Sequence, residues 1–300
     1  MHTIWLAWFT PALLTIIAWG LGQGFARKYI ANVAPAQFCF FYALAKVCVD
    51  VSFVGYYGWQ VPLNGEAKSF LTYGFIAALL QGLGWIFYFR SIVLGPIAIV
   101  GTLSAAYPAL TVIFARLFLG EQLASIQYIG VILVIAGCVG LSFAPTEEGS
   151  GTPSRRWIPL ATAALFLWAG QGTLLKYAYH LPQASDFGMA MLDATGCVLT
   201  LGLFGVLYGK WNLRQKGLHG PLLRDLSRAA LPTALLAGGD LGQIVATQLG
   251  PVSIITPLTA TYPVVTLIFA ALVLKEKIWF VHYVCVGLIL LGMVLGLQGA

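Results

Sequence analysis

Residues 95–121 read GPIAIVGTLSAAYPALTVIFARLFLGE, and residues 250–276 read GPVSIITPLTATYPVVTLIFAALVLKE. The stretches align without a gap, and 14 of the 27 positions are identical. Both Gly-Pro pairs, both Tyr-Pro pairs and the closing Glu121 and Glu276 are among them. Shared hydrophobicity alone does not produce that agreement. The same offset continues into Gln127-Tyr128 against His282-Tyr283. Earlier in the chain, Gly22-Gln23-Gly24 followed by Lys28-Tyr29 recurs as Gly170-Gln171-Gly172 followed by Lys176-Tyr177. The chain is written twice.

Composition says what is being repeated. The hydrophobic fraction is 59% and only 9% of residues are charged, whereas soluble chains carry roughly a quarter charged residues. A bilayer span needs about 20 apolar residues. Apolar runs predict spans near 4–26, 36–58, 69–92, 97–119 and 124–144, then near 157–178, 186–208, 229–249, 252–274 and 278–298. The expected fold is an all-α polytopic membrane protein of ten transmembrane helices. Residues 1–145 form the first five-helix repeat, 146–156 a linker and 157–300 the second repeat. Polar, Gly- and Pro-containing residues between 145 and 156 suit that linker. Five is odd, so the second copy enters the membrane upside down. Inverted repeats are an architecture of alternating-access carriers, with substrate held near the midplane between them.

The Trp-Gly pair in the first apolar run (Trp19-Gly20), the Gly-Pro opening the fourth span, its Tyr-Pro and its closing Leu-Gly-Glu resemble the drug/metabolite transporter superfamily. The branch it resembles is the ten-helix, EamA-like one, over essentially residues 4–298. The resemblance implies two five-helix repeats and transport of a small metabolite. Relatives in that branch export amino acids and other metabolites or carry choline, sugars or nucleotide sugars. The chain departs from the pattern at Tyr42, where many members have an Arg early in the second span.

Charged and polar residues inside spans are the candidate machinery, because an Asp or Lys at a bilayer centre costs about 2.5–3.5 kcal/mol on insertion scales. Lys46 and Asp50 sit four apart on one face with Tyr42. They read as a self-neutralising ion pair or as a charged rung of a cavity wall that opens for substrate. Asp193 and Asp240 have no opposite charge within one helical turn. Such carboxyls suit proton coupling, and so Asp193, Asp240 and Asp50 are the expected coupling residues. Ser104, Tyr107, Pro108 and Thr111 fall at i, i+3, i+4 and i+7, as do Thr259, Tyr262, Pro263 and Thr266, which predicts two matched helix faces. Each proline frees the carbonyl four residues back, for a hydroxyl, water or substrate to meet. Trp85 and Tyr88 share a face with Gln81 and can stack on a flat or cationic substrate. Gln23, Gln171 and Gln243 complete the expected substrate-binding set. Gly20/Gly24 and Gly238/Gly242 have the Gly-x-x-x-Gly spacing that permits close packing. Trp5, Trp8, Trp59, Trp157, Trp211 and Trp279 lie near span ends, where interfacial belts form. Glu121 and Glu276 end their helices and are expected to tie loops or cap a following helix.

Other classes find no support. The four histidines (2, 180, 219 and 282) lie far apart, and no metalloprotease, nucleophile-elbow or P-loop motif is present. No enzyme, no cofactor and no ATP engine within this chain are expected. The net charge of +6 forms no basic stripe of the kind that binds nucleic acid. The five cysteines fall in apolar runs and make no disulfide framework. No Lys or Arg precedes Arg27, so the first run reads as an uncleaved span rather than a signal peptide. The expected partners are a small-molecule substrate, the bilayer and protons, in a monomer or homodimer of the bacterial inner membrane. An organic cation or drug is the alternative substrate.

Orientation is read two ways. Five Lys/Arg and one Asp make residues 209–228 the most charged stretch, and positive-inside counting places both termini outside. The family it resembles is usually drawn with both termini inside.

Overall fold

The computed structural model describes residues 2–29, 34–57, 65–94, 106–142, 156–209, 221–275 and 279–296. These residues are helical with short connections, and no strand occurs among them. The helices are α1 (His2–Tyr29), α2 (Pro35–Tyr57), α3 (Lys68–Leu94), α4 (Tyr107–Leu119), α5 (Ser125–Ser142), α6 (Trp157–Tyr179), α7 (Asp186–Tyr208), α8 (Pro221–Leu249), α9 (Val252–Leu274) and α10 (Phe280–Gly296). Seven are long and apolar enough to cross a membrane. α4, α5 and α10 are shorter apolar helices.

The apolar runs set these elements, and two of them differ from the sequence-based expectation. α8 begins at Pro221, eight residues before the predicted span, so Arg224, Asp225 and Arg228 are helical rather than loop. Proline is favoured at the first helical position, and the Leu-Leu-Arg-Asp-Leu-Ser-Arg run that follows sustains a helix outside the apolar stretch. α9 is broken: Val252–Thr259 ends, and Tyr262–Phe269 starts with Pro263 in its first turn. α4 likewise starts at Tyr107, with Pro108 in its first turn.

Both α4 and α9 close with a π-helical turn, at Ala115–Leu119 and Ala270–Leu274. Each is stopped by a left-handed residue, Gly120 (φ 69°) and Lys275 (φ 57°). The left-handed cap turns the chain while its N–H returns to the preceding turn. Gly120 adopts that conformation without penalty, and Lys275 does not.

Packing pairs the two halves across each other. α1 lies against α8, α3 against α6 and α5 against α10, with α2 contacting both α7 and α8. Small residues permit the closest approaches. A Cβ on Gly292 would meet the Gly130 carbonyl oxygen at 2.6 Å, so α5 and α10 touch backbone to backbone. A Cβ on Gly20 would lie 2.9 Å from the Tyr262 carbonyl oxygen, and one on Gly24 2.5 Å from Phe269, both on α9. The expected Gly238/Gly242 pair is only half in contact. Gly242 packs on Thr15, Gly238 meets nothing within 4 Å, and Gly239 is the residue against Trp19.

Polarity is arranged inside out. Leu14, Phe118, Leu272, Phe280 and Tyr283 are exposed, while Lys46, Asp50, Asp193 and Asp240 are buried. That is the pattern of a bundle solvated by hydrocarbon, in which charges must face protein. Two of the tryptophans expected at the interfaces sit in the core instead. Trp8 is buried beside Ala12 and Ile255, where Gly250 leaves room for its ring, and Trp157 is buried against Ala161. Trp279 is exposed; the side chains of Trp5, Trp59 and Trp211 lie outside the described residues.

Candidate functional site

The site is built around one lysine. Lys46 on α2 is 1% exposed, and its ammonium forms salt bridges to Asp193 of α7 and, at 2.8 Å, to Asp240 of α8. Asp240 also accepts from the Trp19 indole N–H at 2.9 Å and from the Tyr42 hydroxyl at 2.6 Å. Its carboxylate is therefore held by donors from α1 and α2. The expected pairing of Lys46 with Asp50 is corrected: Lys46 reaches across to two other helices. Asp50, one turn further along α2, is fully buried and neither carboxylate oxygen has a hydrogen-bond partner. Asp193 and Asp240, isolated along the sequence, are brought together in space on the same ammonium. Interhelical partners are invisible to an i, i+4 reading.

A cavity of about 740 Å³, its mouth included, opens beside this cluster. Asp193 and Asp240 lie in its wall, with Gln23, Gln81, Trp85, Tyr107, Gln171, Gln243 and Tyr262 of the expected set. Tyr42, Lys46, Asp50, Tyr88 and Thr259 are not in the wall. Tyr42 and Lys46 stand behind the two aspartates. Tyr88 meets the rings of Trp85 and Trp168 at centroid distances of 5.9 and 5.3 Å. Thr259 is buried and spends its hydroxyl on the Ile255 carbonyl at 2.9 Å. Ser104 lies outside the described residues.

The expected continuous stripe on the ninth span is also corrected, because the helix breaks between Thr259 and Tyr262. Carbonyls at the break find partners near and far: Leu258 accepts from the backbone N–H of Thr261 at 3.1 Å and from its hydroxyl at 2.7 Å, and Ala260 accepts from the Cys138 thiol of α5 at 3.3 Å. Thr266 turns away and donates to the Gly20 carbonyl at 3.1 Å.

Trp19, Trp168 and Thr256 are wall residues that the sequence reading did not select. Trp19 precedes Gln23 by four residues and Trp168 precedes Gln171 by three, so helical spacing from the repeated glutamines would have found both. The Thr256 hydroxyl is buried without a partner, as is the amide oxygen of Gln243.

A second polar group ties the turn between α8 and α9. The Lys176 ammonium donates to the carbonyls of Thr247 at 3.0 Å and Gln248 at 3.4 Å. Glu121, at the end of α4, accepts from the backbone N–H groups of Val252 at 3.1 Å and Ser253 at 2.9 Å. A carboxylate at a helix N-terminus and an ammonium at a helix C-terminus both complement the helix dipole. Glu121 thus caps a helix of the other half rather than the next one in sequence; Glu276 lies outside the described residues.

A model of the EamA-like transporter family matches residues 5–143 and again residues 155–297. This chain belongs to the EamA-like transporter family. It is an integral multi-pass membrane protein that acts in transport. An uncharacterized transporter encoded in the cobO 3' region of Sinorhizobium sp is 29% identical over 143 residues, which are 47% of this chain and 99% of that protein. An uncharacterized protein of Methanocaldococcus jannaschii is 39% identical over 75 residues, 25% of this chain and 55% of that protein. A solved crystal structure superposes with a TM-score of 0.75 over 96% of this chain and 95% of that one, at 18% identity. That likeness concerns the fold.

Proposed function

We propose that this EamA-like transporter is a secondary active carrier that moves a small polar organic metabolite by alternating access. Its substrate lies in the cavity bounded by Trp19, Gln23, Trp85, Gln171, Asp193 and Asp240. The single observation that carries the reading is the composition of that wall. Buried carboxylates and half-buried amides in a bundle of apolar helices are costly unless they serve a pathway or a partner, and here they converge on one open cavity with aromatic faces. Without an ATP-binding motif in the chain, a gradient or exchange drives the flux. Asp193, Asp240 and Asp50 are the coupling residues in this reading, because they gather about Lys46.

The mechanism rests on two inverted five-helix repeats, 1–145 and 157–300, in a ten-span topology. The double family match and the half-chain match of the Sinorhizobium relative support the duplication. So does the packing, which keeps its pattern when each helix is exchanged for the one five places on: α1 on α8 becomes α6 on α3, and α1 on α9 becomes α6 on α4. Wall residues obey the same exchange, with Gln23 matching Gln171 and Tyr107 matching Tyr262. Closing one end and opening the other is then a rocking of one half on the other.

A thermal-shift screen of the purified chain against amino acids, quaternary amines, sugars and nucleobases, followed by counterflow of the hits in proteoliposomes, tests the reading. Stabilisation by one class with matching counterflow supports it; stabilisation without flux contradicts it. The charge asymmetry of the loops places both termini on the outside in this proposal. A cytoplasm-only fluorescent reporter fused after Ala300 stays dark if that is correct and bright if both termini are inside.

A further inference from the structure

We propose that the Lys46 ammonium is a built-in stand-in for the cationic group of the substrate. Binding of a monocationic organic amine then moves Lys46 from Asp193 and Asp240 to Asp50, which releases one proton. The inference rests on the carrier reading above and names its substrate class and its exchanged ion.

The first support is the charge on the wall. Asp193 and Asp240 line the cavity, no Lys or Arg lines it among the described residues, and the only ammonium at the cluster lies behind the wall. An entering anion meets two carboxylates; an entering cation meets the partners that Lys46 already uses. The rings of Trp19, Trp85, Trp168, Tyr107 and Tyr262 surround the same space, and aromatic faces attract ammonium groups. Independently, the wall holds polar atoms with nothing to bind. The Thr256 hydroxyl, on a residue 2% exposed, the Gln243 amide oxygen and the indole N–H groups of Trp85 and Trp168 have no partner; the first two can accept from an N–H of a ligand, while the indoles can only donate and meet an ammonium with their faces.

The second support is Asp50. A buried carboxylate that receives no hydrogen bond is unfavourable, and the neutral acid costs much less. With Lys46 engaged elsewhere, the carboxyl of Asp50 holds a proton. It lies one helical turn from Lys46, so a change in the lysine side chain alone brings the ammonium to it. The titratable and charged groups facing Asp50 are Lys46 on α2, Asp193 and Cys197 on α7 and Asp240 on α8. Of these, Lys46 is the one cation. When substrate takes its place on Asp193 and Asp240, Lys46 turns to Asp50, whose O–H bond breaks and whose proton leaves to water. One positive charge enters and one leaves, so the net charge of the buried cluster is the same before and after.

The test uses three probes sharing a phenylethyl body: 2-phenylethylamine, phenylalanine and 3-phenylpropionate. Binding to the purified full chain is read by fluorescence of the wall tryptophans, and proton release by an indicator dye in weak buffer. The expected half-saturating concentration is at least roughly tenfold lower for 2-phenylethylamine than for 3-phenylpropionate, with about one proton released per amine bound. Asp50→Asn leaves the displaced ammonium without a carboxylate, so it is expected to weaken amine binding and to abolish proton release from the binding that remains, with its thermal midpoint measured to confirm folding. Equal or tighter binding of the acid, binding of none of the probes, or proton release persisting in Asp50→Asn overturns the proposal. If Asp50→Asn does not fold, amine binding to the natural chain without proton release overturns it. Amine binding with proton release but no counterflow in proteoliposomes would instead refute the carrier reading and leave this inference standing.

Discussion

On α3, positions 81, 85 and 88 carry Gln, Trp and Tyr; at the same repeat offset on α8, positions 236, 240 and 243 carry Leu, Asp and Gln. The register is common to both helices, since Gly84 matches Gly239 and the Gly-Pro pairs beyond them coincide. Residues 81, 85, 236, 240 and 243 all line the cavity. Both copies therefore contribute corresponding positions, but only the second places a carboxylate there. Elsewhere the copies agree, with Gln23 against Gln171 and Tyr107 against Tyr262. In the proposed two-repeat frame, the wall positions at which the copies differ put this carboxylate in the second copy.

That comparison is broken most severely at Asp240. Asp240→Asn removes a charge that three donors hold and leaves Lys46 with Asp193 alone. Stripping one partner from a buried pair costs about 3–5 kcal/mol, so a large fall in thermal midpoint and loss of transport are expected. The matched change Trp85→Phe keeps a ring and removes an N–H that has no partner. It should cost less than about 1.5 kcal/mol. Thermal unfolding of both variants in detergent checks this, and equal effects would mean that the copies do not differ in the way described.

A smaller effect separates Gly20 of α1 from Gly238 of α8. Gly20→Ala drives a methyl into Val265 and the Tyr262 carbonyl, which is overpacking and costs about 1–3 kcal/mol. Gly238→Ala meets nothing within 4 Å and should be neutral or stabilising by up to about 1 kcal/mol. Unfolding midpoints that move in the same direction would contradict the packing of α1 on α9.

The smallest effect is at the left-handed caps that end α4 and α9. Lys275→Gly relieves a side chain of a conformation that costs about 1–2 kcal/mol, and Gly120→Ala imposes the same strain. The two substitutions should shift the midpoint in opposite directions by a few degrees. A shared direction would mean that the caps are not equivalent.

Much of this was legible beforehand, for identifiable reasons. The apolar runs located the helices because hydrocarbon leaves the backbone no other solvent. The repeat was legible because Gly-Pro and Tyr-Pro pairs mark chain breaks that hydrophobicity does not impose. Most wall residues were legible because a buried polar group inside a span needs a reason. The pairing of Lys46 was not, since its partners are 147 and 194 residues away in sequence and the nearer Asp50 offered a local solution. Nor was the break in α9, because Pro263 predicts a missing hydrogen bond but not whether the helix bends or stops. Trp8 and Trp157 were misplaced because proximity to a span end is shared by belt and core positions alike.

The central claim is that one cavity serves both faces of the membrane. Gln243 lines it, and Cys48 is the exposed thiol among the five cysteines, the others being buried. Gln243→Cys on a Cys48→Ser background, reconstituted in vesicles, offers a single reporter inside the wall. A charged, membrane-impermeant methanethiosulfonate applied to either face should modify that cysteine, with substrate slowing both reactions. Modification from one face only, at every substrate concentration, would contradict alternating access.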